Sequence, residues 1–312
     1  MGHGTKVLIT GISGFIGSHL TRRLTAAGMH VSGLSTDDVT GIDGVPELVV
    51  EHIDILDVDA LNAAIDRYAP EAVVHLAALS HVGASWTRPG DYLRVNFVGT
   101  RNLVRAARGC KVLFASSAEV YGRVPDEEQP IREEQPLNPL SPYAMTKACA
   151  ERLALDHGAL VVRSFNAVGP GQARSFAMPS FATQLAAIKR GEREPVLKVG
   201  DLSPRRDFLH VADAASAWQV LIEKGEAGRI YNLAGGEPFS ILEALNRLIK
   251  VSGVRAKLEH DSKRDRPADL PLLCGDAGRL RELGWKPEHN LTEALRDLWN
   301  ETLAAGTQPP GT

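Results

Sequence analysis

Short apolar runs alternate with longer amphipathic stretches over the first 165 residues of the chain. The runs are rich in Val, Ile and Leu, as in parallel strands that are buried on both faces. The stretches between them carry apolar residues at intervals of three and four, as in helices that pack on a sheet. The pattern predicts an α/β fold with a doubly wound parallel sheet, which we expect six strands to complete. The predicted strands cover residues 6–10, 29–34, 48–53, 72–77, 111–116 and 160–165, and the predicted helices follow Gly14, Asp57, Asn96 and Tyr143.

The alternation weakens after Asn166. Loops such as VGPGQARS and GDLSPRRDF interleave there with helical stretches such as FATQLAAIKR. We expect residues 166–312 to form mainly a smaller second lobe, some segments of which return to the domain of residues 1–165. The sequence has no long Ser/Gly linker between the two parts, so we expect an extensive interface between them.

The charge balance and the cysteines narrow the class of protein. The 312 residues include 35 Lys and Arg against 38 Asp and Glu, a formal net charge of −3, which disfavours binding to nucleic acid through a basic surface. Cys110, Cys149 and Cys274 lie far apart without a C-x-x-C spacing, so we expect neither a disulfide framework nor a metal site. No apolar run has the length of a membrane span or a signal peptide. We therefore expect a cytoplasmic protein without membrane contact.

A glycine-rich turn follows the first predicted strand. Gly11, Gly14 and Gly17 have the spacing G-x-x-G-x-x-G, and Phe15 and Ile16 stand between the last two. Glycines allow a tight turn, let backbone N–H groups approach a pyrophosphate at the positive end of a helix, and let the helix sit close to the strand. Because a strand precedes this turn and a helical pattern follows it, the sequence predicts a dinucleotide-binding site rather than an ordinary turn.

Two acidic residues follow the second and third predicted strands. Asp37 lies twenty positions beyond Gly17, in the run STDD, which contains no Arg or Lys. A carboxylate there hydrogen-bonds a ribose diol and repels a 2′-phosphate, which favours NAD(H) over NADP(H); a polar surface turn is the alternative. Asp54 can accept a hydrogen bond from the adenine amino group, or it can cap the helix that follows.

Tyr143 and Lys147, in SPYAMTK, lie four residues apart, so their side chains share one face of a helix. A nearby ammonium favours phenolate, so we expect Lys147 to move the pKa of Tyr143 towards neutral pH and make it an acid and base for a sugar hydroxyl or ketone. The preceding strand leads into Ser117, at the edge where doubly wound sheets bind ligands. Ser117 can hydrogen-bond the same substrate oxygen. Outside this context, most such Tyr and Lys pairs are surface helix pairs.

The glycine turn, SSAEVYG and SPYAMTK together resemble the extended short-chain dehydrogenase/reductase family of nucleotide-sugar epimerases, dehydratases and reductases. Its further motifs here, in the order of the family, are HLAALSHV, NFVGTRNLV, FNAVGPGQ, RRDFLHVAD, IYNLAGG, RPADLPLLCGD and LGWKP. The resemblance covers essentially the whole chain. It implies a Rossmann-like, NAD(P)-binding domain in residues 1–165 and a mainly substrate-binding lobe in residues 166–312. It also implies a homodimer, formed through a four-helix bundle by the helix after Asn96 and the helix that carries Tyr143.

Within this family, HLAALSHVGASW, RRDFLHV and RPADLP with LGWKP are similar to the GDP-mannose branch, which contains 4,6-dehydratases and the 4-reductases that act on their product. The run AVGPGQARSFAMPSFATQLAAI resembles the reductases, and Phe15 and Ile16 stand where those dehydratases usually carry Gln-Asp. We therefore expect reduction of GDP-4-keto-6-deoxy-mannose to a GDP-6-deoxyhexose such as GDP-rhamnose. The alternatives are a nucleotide-sugar 4,6-dehydratase or 4-epimerase with tightly held NAD(P). Glu119 favours a dehydratase, because a carboxylate there can serve dehydratases as the base at carbon 5.

The resemblance also implies roles for single residues. Tyr143 would supply the proton to the oxygen at carbon 4, Lys147 would hold the nicotinamide ribose, and Ser117 would donate a hydrogen bond to the ketone oxygen. The other implied cofactor contacts are Gly11, Gly14, Phe15, Ile16, Gly17, Asp37, Asp54, Ile55, Leu76, Ala77, Ala78 and Asn96. Asn96 would lie behind the catalytic groups; a helix cap is its alternative role.

Five residues are implied substrate contacts. Asn166, Arg206 and Arg266 match family positions that contact the nucleotide diphosphate, and guanidinium groups suit phosphates geometrically. Ser80 and His81 would border the sugar pocket. A solvated surface charge is the alternative role for each arginine, and a hydrogen-bonded structural role is the alternative for His81.

Overall fold

The computed structural model describes residues 4–37, 39, 42–45, 47–265 and 270–305. Its strands are β1 (Lys6–Thr10), β2 (His30–Ser35), β3 (Val49–His52), β4 (Ala72–His75), β5 (Lys111–Ser117), β6 (Leu160–Ser164), β7 (Asn166–Val168), β8 (Val196–Val199), β9 (Arg205–His210), β10 (Ile230–Leu233), β11 (Pro238–Ser240), β12 (Lys257–His260) and β13 (Leu272–Leu273). Its α-helices are α1 (Phe15–Ala26), α2 (Val58–Tyr68), α3 (Val82–Ser85), α4 (Pro89–Tyr92), α5 (Thr100–Ala106), α6 (Pro142–Asp156), α7 (Ala177–Lys189), α8 (Val211–Lys224), α9 (Ile241–Ser252), α10 (Gly278–Glu282) and α11 (Leu291–Ala305). Leu93–Gly99 is a π-helical segment between α4 and α5, and 3₁₀ turns cover Ala118–Tyr121, Asp126–Glu128 and Ser262–Arg264.

Seven parallel strands form the central sheet, in the order β10-β6-β5-β4-β1-β2-β3. All six predicted strands are present, with ends shifted by up to two residues. The strand order reverses at β1, which pairs with β2 on one side and with β4 on the other. The carboxyl ends of the strands beside such a reversal form a crevice, which is where doubly wound folds bind ligands.

The prediction that six strands complete the sheet is wrong, because β10 adds a seventh beside β6. Strand β6 is buried, so an unpaired edge there would leave its backbone groups without hydrogen-bond partners. Asn232 links β10 to the segment before α6. Its side chain donates to the carbonyl of Ile131 at 2.9 Å, and its backbone N–H donates to Glu133 at 2.8 Å. A part of the chain beyond residue 165 therefore completes the sheet of the first half.

Helices cover both faces of the sheet and bury their apolar sides against it. On one face α1 and α8 pack together through the core residues Leu20 and Trp218. On the other face α2, α5 and α6 are neighbours, with Leu61 and Leu103 in their shared core. This is the two-sided helix layer that the alternating apolar pattern requires.

Polar caps fix where two of these helices begin. Asp57 caps α2, because its carboxylate accepts the N–H of Ala60 at 3.0 Å. Ser141 caps α6 by accepting the N–H of Ala144 at 3.1 Å, and proline occupies the first position of that helix. The cap on α6 places Tyr143 in the first helical turn, beside the carboxyl end of the sheet.

The second lobe has a core of its own. Helices α7, α9 and α11 pack around a cluster that includes Phe181, Leu245 and Trp299. Strand β9 lies beside this core and pairs with β7, β11 and β13. One end of β9 carries Arg206 towards the first half of the chain, so the lobe forms the second wall of a cleft.

Three further observations concern the chemistry of the chain as a whole. Within residues that the structure describes, no helix has both the length and the apolar character needed to cross a membrane. No group of His, Cys, Asp and Glu side chains in that same part of the chain is arranged to hold a metal ion. The thiols of Cys110, Cys149 and Cys274 are free, and Cys149 is exposed.

Candidate active site

A cavity of about 1190 Å³ lies above the carboxyl ends of the central strands, between the sheet and the second lobe. The glycine turn and Asp37 line one part of it, Ser117 and Tyr143 line another, and Arg206 belongs to the wall formed by the second lobe. Pockets for one drug-sized ligand usually enclose about 300–1,000 Å³. This cavity therefore has room for a dinucleotide and a second ligand beside it.

At two positions of the turn, a side chain would collide with neighbouring backbone atoms, so glycine is required there. At Gly11 the backbone φ is +68°, and a Cβ atom would lie 2.8 Å from the backbone nitrogen of Ala77. At Gly17 a Cβ atom would lie 2.4 Å from the carbonyl oxygen of Gly11. Any side chain at Gly17 would therefore push α1 away from the turn, so the glycine is what lets the helix begin close to the strand.

The amino terminus of α1 faces the cavity. Gly14 is the N-cap residue and, having no side chain, leaves the N–H groups of the first turn without a side-chain cap. Phe15 and Ile16 line the cavity directly beside it. These N–H groups and the positive end of the helix dipole form a site for an anionic group such as a pyrophosphate. The residues present thus fit the phosphates of a dinucleotide cofactor.

Asp37 is held in place at the end of β2. The hydroxyl of Ser13 donates to its carboxylate at 2.8 Å, and the backbone N–H of Asp37 donates to the hydroxyl of Ser35 at 2.9 Å. The two serine hydroxyls are themselves 2.8 Å apart. All three residues line the cavity, so Asp37, although exposed, belongs to a hydrogen-bonded group at the cavity wall.

Asp54 and Ile55 also line the cavity. One carboxylate oxygen of Asp54 accepts the backbone N–H of Leu56 at 2.9 Å. The alternative role of Asp54 as a helix cap is wrong, because Asp57 caps the helix. Ile55 packs against Gly99, where a Cβ atom would lie only 2.4 Å from the Ile55 side chain.

Leu76, Ala77 and Ala78 form the cavity wall after β4. The predicted strand over residues 72–77 ends earlier, at His75, because the N–H of Ala77 turns to the Thr10 side-chain oxygen, 3.3 Å away. His75 Nδ1 lies 2.7 Å from that oxygen and its Nε2 lies 3.0 Å from the hydroxyl of Thr100. Burial, together with the charge of Lys147, lowers the pKa of His75 to about 3. His75 is therefore a neutral link between two threonines.

Asn96 lies behind this wall and is neither a helix cap nor part of the cavity lining. Its amide oxygen accepts the N–H of Leu79 at 2.8 Å, and its amide nitrogen donates to the Leu79 carbonyl at 3.0 Å and to the Thr146 hydroxyl at 3.1 Å. A contact between Asn96 and the cofactor stays a prediction. Asn96 fixes the cavity wall to the helix that carries Tyr143.

The structure brings Ser117, Tyr143 and Lys147 together in the cavity lining. Ser117 ends β5 and hydrogen-bonds the side chain of Tyr143. Lys147 lies one helical turn after Tyr143, and its Nζ donates to the carbonyl of Ala115 at 2.7 Å. A hydroxyl, a phenol and a buried amine are thereby placed on one wall, as the motif spacing predicts.

The expected lowering of the pKa of Tyr143 is wrong. Burial is the main cause that raises this pKa to about 12; the charge of Glu119 acts in the same direction, and the hydrogen bond from Ser117 opposes the shift. The ammonium of Lys147 is directed at the Ala115 carbonyl instead of the phenol. Burial also lowers the pKa of Lys147, to about 7. Tyr143 is thus a protonated phenol at neutral pH.

Glu119 lines the cavity in the 3₁₀ turn that follows β5. Its backbone N–H donates to the hydroxyl of Ser117 at 3.2 Å. The carboxylate is half-buried and close enough to Tyr143 to influence its titration. The position is compatible with a base and with a contact to substrate hydroxyls.

Ser80 and His81 line the cavity after the wall formed by residues 76–78. His81 Nδ1 accepts the N–H of Ala84 at 3.1 Å, so Nε2 carries the proton and donates to the carbonyl of Ser175 at 3.3 Å. The imidazole also meets the ring of Phe176 edge to face. His81 thus joins the two walls of the cleft, which is a structural role at the border of the cavity.

Asn166 and Arg206 line the part of the cavity next to the second lobe. Arg206 is buried, so it is not a solvated surface charge, and its guanidinium donates to the carbonyl of Leu270 at 2.7 Å. Arg266 lies outside the described residues. Of the two proposed arginines, the structure describes Arg206, and it places this residue in the cavity wall.

Several lining residues were not predicted. They are Ser13, Ser35, Gln172, Ser175, Phe176, Met178, Phe181, Asp201, Lys263 and Arg264. Most belong to loops or to α7, where no strand end or glycine turn marks them. The one available signal is the dense run of small and polar residues in VGPGQARS and GDLSP, which is typical of binding loops.

A family model described as GDP-mannose 4,6 dehydratase matches residues 8–298 of the chain. The GDP-6-deoxy-D-mannose reductase of Pseudomonas aeruginosa is 36% identical over 307 residues, which cover 95% of this chain and 96% of that protein. The UDP-glucose 4-epimerase 4 of Oryza sativa subsp. japonica is 34% identical over 342 residues, covering 96% and 90%.

Two solved structures have a similar fold. The structure of RMD from Pseudomonas aeruginosa, complexed with NADPH, matches with a TM-score of 0.85 and 36% identity, covering 98% of this chain and 100% of that one. The UDP-glucose 4-epimerase of Thermus thermophilus, in complex with NAD, matches with a TM-score of 0.86 and 28% identity, covering 96% and 100%.

Proposed function

The chain belongs to the GDP-mannose 4,6 dehydratase family of NAD(P)-dependent nucleotide-sugar enzymes, and from that premise we propose that it is an NAD(P)H-dependent 4-reductase. Its substrate is GDP-4-keto-6-deoxy-mannose, and its product is a GDP-6-deoxyhexose such as GDP-rhamnose. The likeness to the GDP-6-deoxy-D-mannose reductase of Pseudomonas aeruginosa, 36% identical over 95% of this chain, carries the proposal. A reductase needs a proton donor at the site, and the phenol of Tyr143 is protonated at neutral pH and lies in the cavity wall beside Ser117.

Each residue of the cavity has a separate role in the proposed reduction. When bound, the reduced nicotinamide supplies a hydride to carbon 4 of the sugar. Tyr143 donates its proton to the oxygen at carbon 4, and Ser117 donates a hydrogen bond to the same oxygen as negative charge develops on it. Lys147 holds the ribose next to the nicotinamide. The first-turn N–H groups of α1 hold the pyrophosphate.

Stoichiometric oxidation of NAD(P)H in the presence of the 4-keto sugar tests this function. We expect Tyr143→Phe to reduce kcat by at least about a hundredfold, since the variant lacks the proton donor. Tyr68→Phe is the matched control, because Tyr68 contacts Glu51 on the surface and lies away from the cavity. Turnover of GDP-mannose without added reductant would instead support the dehydratase alternative, with Glu119 as the base.

We propose that the enzyme prefers NADH to NADPH. The support is the carboxylate of Asp37, which Ser13 fixes at the cavity wall and which repels a 2′-phosphate. The ratio of kcat/KM for NADH to that for NADPH is expected to be at least about ten and to fall in Asp37→Asn. Asp59→Asn, on the exposed side of α2, is the control. A wild-type preference for NADPH would overturn this point.

We propose that the substrate lies between the two walls, with Arg206 and Asn166 on the diphosphate and with Ser80 and His81 beside the sugar. The support is the burial of Arg206 within the cavity wall, where a charged phosphate oxygen is a suitable partner. Arg266 completes this set. The domain of residues 1–165 thus holds the cofactor, and residues 166–312 mainly hold the substrate.

We propose a cytoplasmic homodimer. Leu93 and Met145 lie on neighbouring helical segments and are 52% and 57% exposed, which suits a four-helix bundle between two copies. Sedimentation of Met145→Asp is expected to show monomers, whereas Val49→Asp, at an exposed site on β3, leaves the dimer intact. A wild-type protein that sediments as a monomer would contradict the dimer. The cytoplasmic location rests on the three free thiols.

A further inference from the structure

A buried ion pair lies beneath the cavity, one helical turn further along α6 than Lys147. Glu151 accepts hydrogen bonds from Arg163 of β6 at 2.6 Å and from the hydroxyl of Ser116 at 2.6 Å. Glu151 is 1% exposed and Arg163 is 3% exposed. Neither side chain lines the cavity, so neither contacts a ligand there.

We propose that Glu151 is a positioning residue that keeps the buried amine of Lys147 in its charged form. This proposal rests on the role given to Lys147 in the proposed function. Two neighbouring residues of β5 connect Lys147 with Glu151: Lys147 donates to the carbonyl of Ala115, and Ser116 donates to Glu151. The amine and the carboxylate are therefore held by the same strand, on successive turns of one helix.

Lys147 needs a counter-charge because it is buried. Its surroundings are the ring of Phe114 on β5, 4.9 Å from Nζ, together with His75 on β4 and Tyr143 on its own helix. His75 and Tyr143 are neutral near pH 7, since their pKa values are about 3 and about 12. Burial lowers the pKa of Lys147, and the charge of Glu151 opposes that shift. Glu151 is thus the group that favours the ammonium form.

Arg163 holds the carboxylate of Glu151 in place. Its guanidinium binds Glu151, and it also donates to the hydroxyl of Tyr121 at 3.0 Å and to the carbonyl of Glu133 at 2.9 Å. The Tyr121 hydroxyl donates in turn to Asn232 of β10. These contacts fix the carboxylate from β5, β6 and β10 at once, so its distance to the neighbouring helical turn is set by the central sheet.

The pH dependence of kcat/KM in Glu151→Gln tests the proposal. Removing an opposite charge at this range lowers a pKa by about one unit. With a wild-type Lys147 pKa of about 7, the charged fraction then falls about tenfold at pH 8 and less than about twofold at pH 5.5. We expect activity losses of the same sizes. Glu151→Asp, which keeps the charge, is expected to restore the wild-type profile.

Tyr121→Phe is the matched control for structural damage. It removes hydrogen bonds from the same buried network but leaves the charge of Glu151 in place. We expect a lower melting temperature and an unshifted pH profile. A Glu151→Gln enzyme that loses activity by the same factor at pH 5.5 and pH 8 would overturn the proposal and make Glu151 merely structural.

A second variant covers the case in which Glu151→Gln does not fold, because that change leaves Arg163 as an unpaired buried charge. Glu151→Gln combined with Arg163→Met removes both charges. A shift of the profile in the same direction but of smaller size is expected, because the single variant also leaves the positive charge of Arg163 near Lys147. The affinity for NADH, measured by fluorescence over the same pH range, separates this proposal from the reductase function. A wild-type enzyme that binds NADH but reduces no 4-keto sugar refutes the function alone, whereas an unshifted binding profile in the double variant refutes the role of Glu151.

Discussion

Replacing Gly17 by alanine is expected to destabilise the protein and to weaken cofactor binding together. The added Cβ would lie 2.4 Å from the Gly11 carbonyl oxygen and 2.7 Å from that of Ile12. Carbon and oxygen atoms ordinarily approach to about 3.3 Å at the closest, so the helix must move by roughly 1 Å. Both obstacles are backbone atoms, which cannot rotate out of the way. The buried side chains of Leu20 and Leu24 move with the helix.

The expected size follows from two opposing effects. Overpacking of a close-packed interior costs about 1–3 kcal/mol, and this contact belongs at the upper end of that range. Alanine is the better helix former, which returns roughly 0.5–1 kcal/mol. The net loss is about 2 kcal/mol, or a fall in melting temperature of about 4 °C for a chain of this size. The displaced start of α1 is expected to weaken NADH binding by at least about tenfold.

Gly14→Ala is the matched control, measured by urea unfolding and by NADH fluorescence titration. Gly14 has a φ of −69°, which any residue can adopt, and the contact of its Cβ with the Gly11 oxygen would be 3.1 Å. We expect this change to cost no more than about 1 kcal/mol. Equal stability of the two variants, or unchanged NADH affinity in Gly17→Ala, would refute the argument that close packing of α1 requires glycine at this position.

Three further predictions concern residues outside the glycine turn. Asn96→Ala leaves both backbone groups of Leu79 without their partner, so urea unfolding is expected to show a loss of about 2 kcal/mol; an unchanged midpoint would contradict this. The hydrogen bond that the His289 imidazole donates to the carboxylate of Asp213 raises the pKa of His289, so His289→Gln is expected to lower the free energy of unfolding at pH 6, with the difference disappearing as the pH rises through the raised pKa; a difference that grows with pH would refute it. Arg206→Met is expected to raise the KM for the nucleotide sugar at least about tenfold while kcat changes less than about threefold, and steady-state kinetics with the reverse pattern would exclude a binding role.

The sequence predicts the fold closely because a buried parallel sheet leaves a strong periodic pattern. Strand β10 lies beyond residue 165, where the regular alternation has weakened, so the pattern does not place it. The need for β10 becomes visible only when β6 is known to be buried at what would otherwise be an edge. Its side chain at Asn232 is fully buried and bonds to distant parts of the chain, which no local pattern records.

The sequence predicts which residues line the cavity better than it predicts their pKa values and the directions of their charged groups. The four-residue spacing correctly puts Tyr143 and Lys147 on one wall, but spacing does not say where an ammonium points. The carbonyl of Ala115, on a strand far away in sequence, takes that role, and burial then controls both pKa values. Asn96 shows the same limit, because its partners at Leu79 and Thr146 are set by tertiary packing.

The position of β10 has a consequence for how the protein is made. A ribosome produces β6 well before β10, and in that interval the nascent chain has an open strand edge, which is a place for pairing with another chain. Until β10 is made, the Tyr121 hydroxyl, which accepts a hydrogen bond from Arg163, also lacks its acceptor on Asn232. A gene fragment that stops at residue 165 would keep that edge permanently. Completion of the central sheet therefore requires synthesis to continue through Leu233.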